Sequence, residues 1–154
     1  MARYAATIES SMRSEDAFDY MAMFTNAAEW DPNVVEASRL DTGELRVGSA
    51  FRIVSRFAGR SVALRYEITA YDAGRRVVLK AWQPAFGSVD TITVEPWGEG
   101  SRVTYDALLI PKGIARLAGP LFSLVFKRVG DAAAASLRRR LGGERAHPLE
   151  GEAG

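Results

Sequence analysis

Residues 62–82 read VALRYEITAYDAGRRVVLKAW, and this stretch decides the fold. Val62, Leu64, Tyr66, Ile68 and Ala70 alternate with Ala63, Arg65, Glu67 and Thr69, a period of two that marks a strand buried on one face. Asp72-Ala73-Gly74-Arg75 then supplies turn chemistry, and Val77, Leu79 and Ala81 resume the apolar alternation. Two such runs joined by so short a connection form an antiparallel hairpin.

The same grammar extends in both directions. VVEASRLD and SAFRIVSRF precede the hairpin; SVDTITVE and SRVTYDALLI follow it. TGELRVG, AGRS, QPAFG and PWGEG separate the runs, giving a meander of six antiparallel strands from Val34. Upstream, residues 3–10 (RYAATIES) read as a further strand. Ser14 opens a helix with Ala17, Tyr20, Met21 and Phe24 at helical spacing. TNAAEW adds a second short helix that Asp31-Pro32 stops, because a residue before proline avoids the helical region. Downstream, residues 114–141 form the longest helix, its main rod starting at Gly119-Pro120. Its apolar stripe is read as Leu121, Leu124, Val125, Val129, Ala132, Ala133, Ser136 and Leu137, and Arg138–Arg140 suit the dipole of its last turn. The fold class is therefore α+β: a curved antiparallel sheet of about seven strands wrapped around a long C-terminal helix. A single domain spans 1–141, and 142–154 is a flexible tail.

Composition narrows the function. The chain has 154 residues, enough for one real core, and a formal net charge of +1, which gives no general affinity for nucleic acid or an anionic surface. Cysteine is absent, so disulfide, thiolate and zinc-thiolate chemistry are excluded. The one histidine, His147, lies in the Gly/Pro-rich tail, which excludes a Ser-His-Asp triad and a multi-histidine metal site. No metal and no cofactor is expected. No run reaches the roughly 18 apolar residues of a membrane span, and the N-terminus lacks an apolar signal region, so the expected location is cytoplasmic, with no stable membrane insertion.

Pairing the strands tells which side chains share a face. A four-residue AGRS loop sets Phe57 opposite Val62, Ser55 opposite Leu64, Ile53 opposite Tyr66 and Phe51 opposite Ile68. A DAGR loop sets Ala70 opposite Val77 and Ile68 opposite Leu79. The PWGEG turn sets Val94 opposite Val103, Ile92 opposite Tyr105 and Asp90 opposite Ala107. On the other face Arg52 meets Glu67, Glu67 meets Lys80, Thr93 meets Thr104 and Glu95 meets Arg102, the pairs a solvated face favours. Arg52, Arg65, Glu67 and Lys80 are thus a salt ladder.

The inward face carries Phe51, Ile53, Ser55, Phe57, Leu64, Tyr66, Ile68, Leu79, Ala81, Ser88, Asp90, Ile92 and Tyr105, a mixture of large, small and polar groups. Leu121, Leu124 and Val125 are expected to face it from the long helix. Seven twisted strands curl more than one helix of ~10 Å can fill, so this lining suits either a ligand cavity or ordinary core packing. Asp90, with Ser88 two residues before it and Tyr105 diagonally across, is a candidate acid or base; a structural carboxylate bonded to a loop or a tyrosine is the alternative. Phe122 and Phe126 are left on another side of the helix, to pack under the first helix, line an entrance or make a homodimer contact.

The stretches AFDYMAMFTNAAEWDPNV, GSAFRI, LRYEITAYDAGRRVVLKA, DTITVEPWGEGSRVTYDALL and GPLFSLVF resemble the polyketide cyclase/dehydrase-like branch of the START and birch-pollen-allergen superfamily over about residues 3–141. The resemblance implies a helix-grip fold and a hydrophobic cavity between sheet and long helix. Trp30 would then anchor one end of that cavity, with ligand contact as its second role. Cyclases of this superfamily place Arg, Tyr and Ser or Thr groups in the pocket; here Tyr66, Tyr105, Ser55, Ser88 and Asp90 point inward while the strand arginines point outward. Three functions follow as expectations. The first is a carrier or sensor of a bulky hydrophobic small molecule such as a lipid, isoprenoid or polyketide. The second is a cofactor-free cyclase, aromatase or dehydratase, with Asp90 as acid or base and Tyr66 and Tyr105 holding enolate oxygens. The third is a protein-interaction module with a filled core.

Overall fold

A computed structural model describes residues 2–57, 59–113 and 119–142, the side chains at 57, 119–123 and 125 excepted. Strand β1 (Ala2–Ser10) leads to helix α1 (Ser14–Ala22), a short 3-10 turn (Phe24–Asn26) and helix α2 (Ala27–Trp30). The meander follows as β2 (Val34–Arg39), β3 (Ala50–Phe57), β4 (Arg60–Asp72), β5 (Arg76–Trp82), β6 (Phe86–Trp97) and β7 (Gly100–Pro111). Helix α3 (Gly119–Gly142) is the last described element; it takes in Gly142, which was assigned to the tail, and residues 143–154 lie outside the described residues. One antiparallel sheet runs β1-β7-β6-β5-β4-β3-β2, the helix-grip arrangement that the resemblance implies.

The register holds in part. Val94↔Val103, Ile92↔Tyr105, Asp90↔Ala107, Thr93↔Thr104 and Glu95↔Arg102 pair as expected. The β3–β4 hairpin differs: Phe57 pairs with Arg60, Ser55 with Val62, Ile53 with Leu64 and Phe51 with Tyr66. Arg60 and Ser61 are strand residues, because Gly59 adopts φ +78 and lets the chain reverse in a shorter connection than AGRS. The shift is of two residues, so every side chain keeps its face. On the outer face it places Arg52 opposite Arg65 instead of Glu67, and each arginine turns elsewhere: Arg52 to Glu36 at 3.2 Å, Arg65 to Glu67 at 3.3 Å. In β4–β5, Ile68↔Leu79 and Glu67↔Lys80 stand as expected. A bulge between Ile68 and Ala70 then brings Tyr71, not Ala70, opposite Val77.

The short helices close one end of the sheet's concave face. Helix α1 buries Ala17, Phe18, Met21 and Ala22; Tyr20, at the expected helical spacing, is only half-buried because the face is rotated toward Phe18. Arg13, not Ser14, caps the helix, accepting the Ala17 N–H at its carbonyl. Phe18, Met21, Phe24 and Trp30 join Ile8, Phe51, Ile68, Leu79, Ile92 and Val103 in one apolar cluster. Each such large side chain contributes about 1.5–3 kcal/mol on burial.

Helix α3 lies along the concave side beside β1. Its C-terminal turns insert Ala133, Leu137 and Leu141 into the same cluster, and Ser10 Oγ donates to the Leu141 carbonyl at 2.7 Å. Nearer its start it approaches β1 at Gly130, where a Cβ would stand 2.5 Å from the Tyr4 ring. The inward stripe is therefore Phe126, Val129, Gly130, Ala133 and Leu137. Leu124, expected to face the sheet, is half exposed at 51 %, and Ala132 is exposed as well. The stripe drifts because a helix turns 3.6 residues per turn and Gly130, not Ala132, is the residue small enough to meet Tyr4. The side chains of Leu121, Phe122 and Val125 lie outside the described residues.

A hollow between sheet and helix, and a carboxylate chain inside it

The other end of the concave face is hollow. Between β3, β4, β6, β7, β1 and α3 lies a cavity of about 140 Å³. That is room for about five water molecules at ~30 Å³ each, well beyond a packing defect. Val62, Leu64, Phe86, Ala107, Leu109 and Phe126 give it apolar walls. Its polar groups gather where it meets the packed half: Tyr66 from β4, Ser88 and Asp90 from β6, Tyr105 from β7, and Asp31 and Asn33 from the turn after α2.

Strand alternation explains the gathering. Ser88 and Asp90 are two apart on β6 and point to the same side; Ala107 pairs with Asp90 and Tyr105 with Ile92, setting the phenol diagonal to the carboxylate. Tyr105 Oη donates to Asp90 Oδ2 at 2.8 Å, Ser88 Oγ donates to Asp90 Oδ1 at 3.1 Å, and Tyr66 Oη donates to Ser88 Oγ at 2.9 Å. Burial raises the Asp90 carboxyl to about 6, against the hydrogen bonds from Tyr105 and Ser88 that stabilise its charge. Burial and the nearby Asp90 charge push both tyrosines well above the usual phenol range.

Asp31 is the second carboxylate of the cavity. Trp30 ends α2, and Asp31 takes the extended backbone (φ −102, ψ 110) that a residue before Pro32 requires. Its Oδ1 accepts the Asn33 backbone N–H at 2.9 Å and Asn33 Nδ2 at 3.0 Å, an Asx-type turn, while Asn33 Nδ2 also reaches the Val129 carbonyl of α3 at 3.3 Å. Burial raises the Asp31 carboxyl too, partly offset by Asn33. Among the described residues neither Asp31 nor Asp90 forms an ion pair; Arg56, which borders the cavity, is exposed.

The sequence-assigned residues divide into two sets. Ser55, Leu64, Tyr66, Ser88, Asp90 and Tyr105 line the cavity. Phe51, Ile53, Ile68, Leu79, Ala81 and Ile92 do not: they are buried in the apolar cluster, Ala81 beside Ser88 at the edge of the hollow. Trp30 is not in the wall either. It is 1 % exposed and stands edge-on to the Tyr105 ring, with centroids 5.3 Å apart, so it buttresses the phenol that holds Asp90. Leu124 points away, and the side chains of Phe57, Leu121 and Val125 lie outside the described residues. Asp31, Asn33 and Arg56 were not singled out as lining, whereas Phe126, one of whose expected roles is to line an entrance, does stand in the wall. Asp31 reads as a helix stop, and only the fold reveals that the turn it makes opens onto the cavity. Val62, Phe86 and Leu109 are legible as continuations of the inward alternation on β4, β6 and β7.

Comparisons agree with this architecture. The structure is similar to a START superfamily protein from Mycobacterium smegmatis (TM-score 0.75, 14 % identity, 92 % of this chain and 97 % of that one). It is also similar to the Zhui aromatase/cyclase from Streptomyces sp. R1128 (TM-score 0.68, 13 % identity, 92 % and 96 %). A third similar structure is the major latex-like protein 151 from Panax ginseng (TM-score 0.66, 15 % identity, 91 % and 97 %). At these identities the likeness speaks for the fold. No curated protein matches the chain. The family model described as polyketide cyclase / dehydrase and lipid transport matches residues 1–142, and the chain belongs to that family.

Proposed function

We propose that the protein is a cytoplasmic carrier or sensor that holds a bulky, mostly apolar small molecule (lipid, isoprenoid or polyketide-like) between the sheet and α3. The observation that carries this reading is the hollow itself. One half of the concave face is packed with large side chains, yet the other half keeps about 140 Å³ open beside a cluster of polar groups. Apolar walls with a few convergent polar groups are the usual composition of a ligand pocket. A filled-core interaction module has no use for such a space. The test is native mass spectrometry of the purified protein, then organic extraction of whatever travels with it. A stoichiometric apolar passenger supports the carrier; a clean apo mass with no thermal stabilisation by lipids or aromatic polyketides sinks it.

A second reading is a cofactor-free cyclase or dehydratase, favoured by one specific observation. Asp90 sits in the wall, hydrogen-bonded at both oxygens and raised to about 6, where acid and base forms are both populated near neutrality. As a base the ionised carboxylate would take a proton from a carbon next to a carbonyl; as an acid it would return one to a departing hydroxyl. Asp90→Asn separates the readings. A carrier keeps its affinity within a small factor, whereas an enzyme working through this carboxylate loses turnover by about two to four orders of magnitude.

A further inference from the structure

Hydrogen-bond directions inside the cavity are forced by the carboxylate. Ionised Asp90 accepts only, so the single hydrogen of Ser88 must go to Asp90 Oδ1 and the single hydrogen of Tyr105 to Oδ2. The contact of 2.9 Å between Tyr66 and Ser88 then has one source of a hydrogen left, the phenol of Tyr66. Across the cavity both amide hydrogens of Asn33 are spent, one on Asp31 Oδ1 and one on the Val129 carbonyl, and its backbone N–H goes to Asp31 as well.

The polar end of the cavity has therefore used its donors on itself. What it turns to an occupant are acceptors: Asp31 Oδ2, which takes no hydrogen bond among the described residues, and the lone pairs left on the Tyr66 and Tyr105 oxygens. Ser55, on the β3 side, serves either sense, and Arg56 is exposed. A ligand that brings a carbonyl or carboxylate to this end meets oxygen against oxygen; one that brings a hydroxyl or ammonium hydrogen completes the network.

Building on the small-molecule reading above, we infer that the cavity selects its occupant by hydrogen-bond donors: it takes an apolar molecule carrying a hydroxyl or ammonium group, seated against Asp31 Oδ2 and the tyrosine oxygens. The arrangement also bears on the enzymatic reading. Tyr66 and Tyr105 cannot stabilise an enolate while their hydrogens are committed; a hydrogen is released to the cavity only when Asp90 takes up a proton of its own.

The experiment is calorimetric titration of the full chain at about pH 7.5, where Asp90 is ionised, with four probes on one bicyclic skeleton. β-Naphthol and β-naphthylmethylamine carry donors; the methyl ether of β-naphthol and methyl β-naphthyl ketone carry acceptors only. Both donor probes are expected to bind at least about tenfold more tightly than both acceptor probes, the cost of leaving a buried polar group unmatched. Asp31→Asn is expected to erase or reverse the ratio, because its oxygen must keep accepting from Asn33 and its NH₂ group then faces the cavity. Equal binding of all four probes, or an unchanged ratio in Asp31→Asn, overturns the inference and leaves the carrier standing. No binding of any probe at millimolar concentration removes the small-molecule reading at this cavity and the inference with it.

Discussion

Along four strands the inward positions change character, on a line that runs obliquely across the sheet. Phe51 and Ile53 give way to Ser55 on β3, Ile68 to Tyr66 and Leu64 on β4, Ile92 to Asp90 and Ser88 on β6, and Val103 to Tyr105 and Ala107 on β7. On one side of that line α1, the 3-10 turn and α2 press Phe18, Met21, Phe24 and Trp30 into the concavity; on the other side α3 and the turn after α2 cover it. The packed half holds most of the large buried side chains, and the hollow half keeps the space that the proposed ligand would fill. The two meet in a layer of rings: Phe24 against Tyr66 at 5.1 Å and Trp30 against Tyr105 at 5.3 Å. The same two tyrosines line the cavity and donate their hydroxyls to Ser88 and Asp90, so the packing of one half orients the polar groups of the other.

The largest expected effect tests whether stability is divided this way. Phe18→Ala removes a ring with 0 % exposure from the packed half and should cost about 3–5 kcal/mol. Leu64→Ala, on the cavity wall, should cost about 2 kcal/mol, because fewer neighbours surround it to lose contact. Urea unfolding of the two variants measures both. Equal losses would erase the distinction between the halves.

A smaller effect comes from the boundary layer. The Asp90 carboxyl stands at about 6 in the folded chain against an ordinary 3.8. Between those values the unfolded chain has released this proton while the folded chain still holds it, so stability falls as pH rises from about 4 to 6. Once Asp90 is ionised on both sides of the equilibrium the deficit is about 3 kcal/mol and constant. Asp31, raised in the same sense, adds to the slope. Asp41 runs oppositely: the Arg39 guanidinium holds its carboxyl well below the usual range, so its contribution is lost only as pH drops below about 4. Urea midpoints across this window should fall with rising pH in the natural chain and flatten in Asp90→Asn. A variant that keeps the full slope would show that another group is the buried acid.

How much of this was legible in the sequence follows the same boundary. The strands, the order of elements and the inward set on β6 and β7 rest on alternation, and alternation is a local signal. Tyr66, Ser88, Asp90 and Tyr105 were brought to one place on that signal, and the structure joins them by hydrogen bonds. The division of the face was not legible, because nothing local tells Phe51 that Phe24 will cover it or Ser55 that nothing will. The face of α3 was misread for a related reason. Leu124 has the hydrophobicity of a core residue, but the close approach to Tyr4 demands Gly130, and that sets the rotation of the helix. Asp31 illustrates a third kind of miss: the residue that ends α2 correctly by its backbone also carries a carboxylate into the cavity, and a turn signal hides the second role.

The finest test makes one chemical change at both ends. Ala22 in α1 is 0 % exposed against the packed half; Ala107 on β7 is 7 % exposed and lines the hollow half, opposite Asp90. Ala22→Leu must force its new branch into occupied space, an overpacking cost of about 1–3 kcal/mol. Ala107→Leu sends the same atoms into open volume. Each added carbon gains about 0.8 kcal/mol where it leaves water, and the poorer hydration of Asp90 offsets part of that, so the net change should lie within about 1 kcal/mol of zero. Binding reverses the order. Ala22→Leu should retain any passenger seen by native mass spectrometry, and Ala107→Leu, at little cost in stability, should lose it. If both substitutions destabilise alike, side chains already fill the second half, and the fold is solid throughout.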